Sequence, residues 1–244
     1  MADALSRLET LATAYQYLDG AKSVLDNVQT VRAVAKSNPH DLTAAKKALG
    51  LATDKYKPLK AFLSGAQTEA LAAANEGFPP IPNPADETRK KMEKISKAKG
   101  PNGPGFEKEL NAYIKKLTQY EYDLRERLSY MTLVKKKCDL NIKNFTTIGQ
   151  VISSTMLALK AIFVSVPEAQ TAAGGEILAI MRAGIEKHPT AVANAYKKLK
   201  KAAEDHEKTI AREHAYAKAA LKSAADKKLK LLMEDATAFF KKLF

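Results

Sequence analysis

Tryptophan is absent from this chain, cysteine occurs once in 244 residues, and aromatic residues make up only 7% of it. A single thiol, Cys138, excludes an intramolecular disulfide framework and any multi-cysteine metal knuckle. Its place on an apolar stripe predicts a buried thiol rather than a reactive one. No segment alternates apolar and polar residues between turn signals, so a β-sheet has no material from which to form. Glycine and proline are densest in two short runs, Gly77 to Pro84 and Gly100 to Gly105, and Thr190 to Phe244 contains neither. No repeat of 20 to 50 residues is present, which disfavours a solenoid.

What remains is dominated by Ala, Leu, Lys and Glu, the strong helix formers. Hydrophobic residues at 45% and charged residues at 27% are globular values, so the chain is expected to fold as an all-α, elongated helical bundle built on a long antiparallel helical hairpin. Three segments are expected. Residues 1–76 form an N-terminal helical hairpin: a first helix from Ala2 to Lys36 carries Leu8, Leu11, Tyr15, Leu18, Leu25 and Val28. Asn38 and Pro39 then cap a second, with a kink at Pro58. Residues 77–105 form a linker, because GFPPIPNP (Gly77 to Pro84) and GPNGPG (Gly100 to Gly105) bracket a short charged helix from Asp86 to Lys97.

Residues 106–244 form the long hairpin. Phe106, Leu110, Tyr113, Leu117, Tyr120, Leu124, Leu128, Met131, Val134, Cys138, Ile142, Phe145, Ile148 and Ile152 recur in steps of mostly four and three, a near-heptad stripe implying a long helix packed against a partner. Pro167 and Gly174-Gly175 mark the turn, Glu176 to Lys187 is a short apolar helix, and after Pro189 the last segment runs from Thr190 to Phe244. Its stripe passes through Val192, Tyr196, Leu199, Ala203, Ile210, Ala217 and Leu221. A phase slip then leads to Leu229, Leu232, Ala236, Phe239 and Leu243. These stripes are also the expected route of self-association.

The net charge of +13 is unevenly placed. Ile148 to Glu186 carries Lys160 and Arg182 against Glu168, Glu176 and Glu186, so it is nearly neutral, whereas the arms on either side are basic. Two lysine runs, Lys135, Lys136 and Lys137 and then Lys197, Lys198, Lys200 and Lys201, are the candidate sites for an anionic partner. Acidic membrane lipid is favoured over nucleic acid, because basic and apolar material are segregated. The bland alternative is a solvated face. In the apolar stretch, Ile148, Ile152, Leu157, Leu159, Ile162 and Phe163 are candidate membrane contacts. Burial under residues 1–76 is the plainer expectation, since an exposed patch of that size is a liability.

Chemistry is hard to find. His206 and His214 lie eight residues apart, but no His, Asp or Glu at three- or four-residue spacing completes a metal pair with them. His206 is expected at a helix interface between Ala203 and Ile210. The glycine-rich GPNGPG run is no phosphate cradle, since its prolines delete the N–H donors such a loop needs. Tyr113, Tyr120, Tyr122 and Tyr130 interleave with Lys115, Lys116, Arg125 and Arg127 as a base-stacking platform would, yet two of them fall on the core stripe. No catalytic residues, metal, cofactor or small-molecule substrate are expected.

Met1 to Asp19 lacks the basic start and apolar run of a secretory signal, and Gln150, Ser153, Ser154, Thr155 and Lys160 interrupt the most apolar stretch. A cytoplasmic protein, or one secreted without a leader, is expected, with no permanent membrane span. In layout, Phe106 to Phe244 resembles the α-helical pore-forming toxins, which set an apolar hairpin at the head of long helices. Its length and charge resemble the crescent-shaped membrane-shaping modules. The sequence thus leaves four expectations: a non-catalytic assembly protein that binds an anionic partner, a membrane-inserting toxin, a helical nucleic-acid binder, and a structural or chaperone-like scaffold.

Overall fold

The computed structural model describes residues 13–37, 42–100, 103, 105–166, 179, 185 and 187–243. Among the described residues it contains five helices and no strand. They are α1 (Thr13–Ser37), α2 (Leu42–Glu76), α3 (Asp86–Lys99), α4 (Phe106–Ser165) and α5 (Lys187–Leu243). The helix runs through Pro58 without ending, so α2 is a single element of 35 residues. Leu8 and Leu11, the Asn38-Pro39 cap, the Pro167 to Gly175 turn and most of the Glu176 to Lys187 segment lie outside the described residues. Helix α5 begins at Lys187, three residues earlier than the sequence suggests. Proline is tolerated in a first helical turn, where its missing N–H has no intrahelical partner, so Pro189 does not delay the start.

Gly77 and Gly100 stop their helices by the same device. Each adopts a positive φ, 65° and 80°, and donates its N–H back to the preceding turn, to the carbonyls of Ala73 and Ser96 at 3.2 and 3.1 Å.

The long helices obey a strict seven-residue rule. On α4, Leu110, Leu117, Leu124, Met131, Cys138, Phe145, Ile152 and Leu159 form one buried row. Phe106, Tyr113, Tyr120, Arg127, Val134, Asn141, Ile148, Thr155 and Ile162 form the other. This corrects the sequence reading at two places. Leu128 and Ile142 are only half-buried, and Arg127 and Asn141 occupy the core positions beside them. A stripe read by hydrophobicity alone slides off a polar residue onto its apolar neighbour, whereas the helix keeps its 3.5-residue spacing. On α5 the buried row is Tyr196, Ala203, Ile210, Ala217 and Ala224, flanked by Val192, Leu199, His206, Glu213 and Ala220.

The chain forms two compact units, and α4 and α5 contribute to both. The first comprises Met1–Gly77 and Val134–Ala203. The rings of Tyr17 (α1), Phe62 (α2), Phe145 (α4) and Tyr196 (α5) stack in series there, with centroids 4.4, 6.1 and 5.9 Å apart. Scarce aromatics are thus spent on tying four helices together, each pair adding about 0.5–1.5 kcal/mol beyond its burial. Gly149 of α4 lies close against α5, since a Cβ there would lie 3.4 Å from Cβ of Pro189. The N-terminal helices do cover the apolar end of α4, with Tyr56 fully buried and its hydroxyl pushed up to about 12 by burial, an effect that Thr155 of α4 partly offsets.

The second unit comprises Phe78–Leu133 and Glu204–Phe244. Its core joins Ala85 and Met92 to Phe106, Leu110, Tyr113, Leu117 and Ala224, with Ile95, Leu221 and Leu231 packed against them. In each unit α4 and α5 run antiparallel. Asp139 meets Lys200 and Phe145 meets Tyr196 in the first, and Tyr120 meets Glu213 and Phe106 meets Lys227 in the second.

Leu124→Ala is expected to cost about 2–5 kcal/mol, because it opens a cavity in a packed seam. Leu140→Ala, on the exposed side of the same helix, should stay within about 0.5 kcal/mol. Urea titrations of the two variants check this, and equal losses would mean that α4 faces the other way.

Candidate interaction surfaces and the polar seam

In the first unit the two lysine runs, about sixty residues apart in sequence, lie side by side. Lys200 Nζ donates to Asp139 Oδ1 at 2.8 Å, which fixes the level at which Lys135–Lys137 and Lys197–Lys201 meet. Lys136, Lys197, Lys198 and Lys201 are exposed, and Lys135, Lys137 and Lys200 are half-buried. Lys197 also reaches Asn194 Oδ1 at 3.4 Å. Beneath them sits Cys138, whose thiol is pushed up to about 12, chiefly by burial and also by Asp139, with Lys200 opposing. It is a core side chain with no accessible thiolate.

The expected apolar tip is mostly not on the surface. Ile148, Ile152, Leu159 and Ile162 are buried and Phe163 is half-buried, because these positions continue the seven-residue rows of α4. Leu157 alone of the six stands in solvent, joined by Val164, which is 83% exposed. One stretch of α4 is long and apolar enough to cross a membrane, with mean hydropathy 1.5, and 39% of it is buried within the protein. Length and composition alone give that result, and the buried helix of a soluble core gives it too.

The second unit contains a polar layer that the sequence did not announce. The Gly77–Pro84 strap has few N–H groups, but its carbonyls still need donors. Arg127 Nη2 donates to the Pro79 carbonyl at 3.1 Å. Tyr120 donates its hydroxyl proton to Glu213 Oε2 at 3.1 Å, with the Ile81 carbonyl at 3.5 Å. Burial and then the Glu213 hydrogen bond push the Tyr120 phenol up to about 12. Phe78 stacks on His206 with ring centroids 5.5 Å apart, and His214 Nε2 lies 2.7 Å from Glu121 Oε1. His206 occupies the interface position expected for it, with its Nε2 buried and without a partner. The strap is thus held by side chains that fill core positions of α4 and α5.

Of the tyrosines considered for stacking bases, Tyr113 and Tyr120 are buried. Tyr122 is exposed and sits under Arg125 at 5.3 Å, while half-buried Tyr130 sits under Arg127 at 5.8 Å. A groove of about 510 Å³ opens between α3, α4 and α5, lined among others by Arg89, Lys97, Phe106, Tyr113, Tyr216 and Lys227. The Lys227 ammonium lies 4.5 Å from the centre of the Phe106 ring. Neither the groove nor this pair has a local sequence motif, since the residues come from three helices. Among the described residues no group of three or more His, Cys, Asp or Glu side chains is placed to hold a metal ion. Comparison with known protein families, with curated proteins and with solved structures finds no match to this chain.

Desolvation holds the His206 imidazole below its usual value of 6.5, Arg127 adds to this, and Glu213 opposes it. The folded state therefore binds a proton less readily than the unfolded chain. The His206 contribution to stability is fully present above about pH 6.5 and is lost as the pH falls toward the folded value. The difference in stability between the parent and His206→Gln, followed by urea titration, should accordingly shrink between about pH 7.5 and 5. A difference that is flat with pH, or that grows on acidification, would contradict the buried neutral ring.

Proposed function

We propose that this is a non-catalytic helical protein that binds an anionic surface through the paired lysine runs of α4 and α5, with acidic membrane as the preferred partner. The observation that carries the reading is the lateral meeting of Lys135–Lys137 with Lys197–Lys201, which sums two charge runs into one field. Lipid is preferred to nucleic acid because exposed Leu157 and Val164 belong to the same unit and because, among the described residues, no large aromatic side chain of that unit is exposed. A second reading, insertion of the α4 end into the bilayer, draws on the apolar stretch that is only 39% buried. It requires α1 and α2 to lift from α4, and leakage of dye from acidic vesicles distinguishes it from surface binding.

Cosedimentation with acidic vesicles, neutral vesicles and duplex DNA across a salt series tests the proposal. Acidic vesicles alone should retain the protein, less so as salt rises. Exchanging Lys136, Lys197, Lys198 and Lys201 for Glu should weaken retention by about a hundredfold or more, at roughly 1 kcal/mol per lysine near an anionic surface. Retention on DNA with a steep salt slope, or an unaffected quadruple variant, would overturn it.

A further inference from the structure

The last four turns of α5 do not follow the stripe assigned from sequence. Leu229, Leu232, Ala236 and Phe239 were expected to continue the packed face, but Leu229 is 58%, Leu232 50% and Phe239 61% exposed, as is Met233 at 62%. The cause is a difference in helix length. Phe106, the first residue of α4, lies against Lys227, so α5 runs on past the start of α4, and beyond its Leu231 contact with the core it extends for roughly 18 Å.

The chemistry of this overhang is ordered. At 3.6 residues per turn, Leu229, Leu232, Met233, Ala236 and Phe239 fall within an arc of about 120°. Leu231, the residue by which the segment packs on the core of its own unit, lies about 140° from the centre of that arc. The fold therefore uses the opposite side of the helix and turns the apolar face outward. Lys228 and Lys230 flank that face on its two sides, about 80° and 120° from its centre, with Asp235 beside Lys228 at about 100° and Lys241 and Glu234 toward the back. A convex apolar strip with a lysine on each side matches a bilayer interface, where acyl chains take the strip and anionic headgroups take the flanking ammonium groups.

We infer that residues 228–241 of α5 form an amphipathic membrane anchor that lies in the interface of an acidic bilayer, with Leu229, Leu232 and Met233 inserted. The inference deepens the acidic-membrane reading above and rests on it for the choice of lipid, but it uses a different surface and supplies the apolar contact that the lysine runs lack.

The absence of tryptophan makes the test direct, because Met233→Trp introduces the only indole in the chain. Its emission should shift to the blue with phosphatidylserine-containing vesicles and much less with phosphatidylcholine alone. Tyr216→Trp, exposed on another face of α5, should not shift. Leu232→Asp with Met233→Asp changes only exposed side chains, so helicity and melting should hold while partitioning into acidic vesicles at high salt falls roughly tenfold or more. Vesicle sedimentation with a silent indole at position 233 overturns the anchor and leaves surface binding by the lysine runs. An indole shift without lipid, accompanied by a doubled mass, assigns the face to a second copy of this chain and also overturns it. If instead the lysine-run reading is the one at fault, the quadruple Glu variant keeps the full shift at position 233.

Discussion

Packing between α4 and α5 constrains everything else in this protein. Two rows spaced seven residues apart on α4 are buried from Phe106 to Ile162, and α5 answers them from Val192 to Ala224. Because the rows hold that spacing even where the residue is polar, they decide which side chains are core and which are surface. They bury the thiol of Cys138 between the lysine runs, and they bring those runs to one level through Asp139 and Lys200. The other helices attach to this seam at specific points: α1 and α2 by the Tyr17, Phe62 and Phe145 stack, and α3 by Met92 and Ile95 on the core around Phe106 and Leu110.

Polar residues in the rows carry a cost that the structure offsets locally. Arg127 faces a strap whose prolines leave carbonyls without nearby backbone donors and donates to the Pro79 carbonyl, while Tyr120 beside it gives its proton to Glu213. An apolar residue at position 127 would leave the Pro79 carbonyl without that donor. Asn141 and Thr155 play a quieter part in the first unit, where the Thr155 hydroxyl returns its proton to the Val151 carbonyl of its own helix at 2.9 Å. His206 is the incomplete member, with its stacking partner Phe78 in place and one ring nitrogen unpaired. That leaves stability sensitive to its protonation.

The helical class, the Gly77–Pro84 break, the charged α3 and the length of α4 were all legible, because each depends on local spacing or on backbone chemistry that a few neighbouring residues determine. Cover of the apolar end of α4 by the N-terminal helices was also legible, from the cost of leaving it exposed. Four things were not. Arg127 and Asn141 as core residues violate hydrophobicity while obeying geometry, and only the partner helix reveals which rule prevails. The polar seam joins residues up to ninety-three positions apart, such as Tyr120 with Glu213, and has no local pattern. The outward turn of Leu229, Leu232 and Met233 follows from where α4 begins relative to α5, a register that neither helix carries alone. Charge at the candidate site was readable as two runs. Their meeting was not.

The register of the seam is therefore the claim to test most directly. In a Cys138→Ala background, Gly149→Cys with Pro189→Cys should form a disulfide within a single chain under mild oxidation, since a Cβ at position 149 lies 3.4 Å from that of residue 189. Gly149→Cys with Lys197→Cys, about 12 Å further along α5, should not. An intramolecular bond in the first pair alone is the predicted result. Bonding chiefly between chains, or preferential bonding of the second pair, would contradict the antiparallel seam and the two surfaces derived from it.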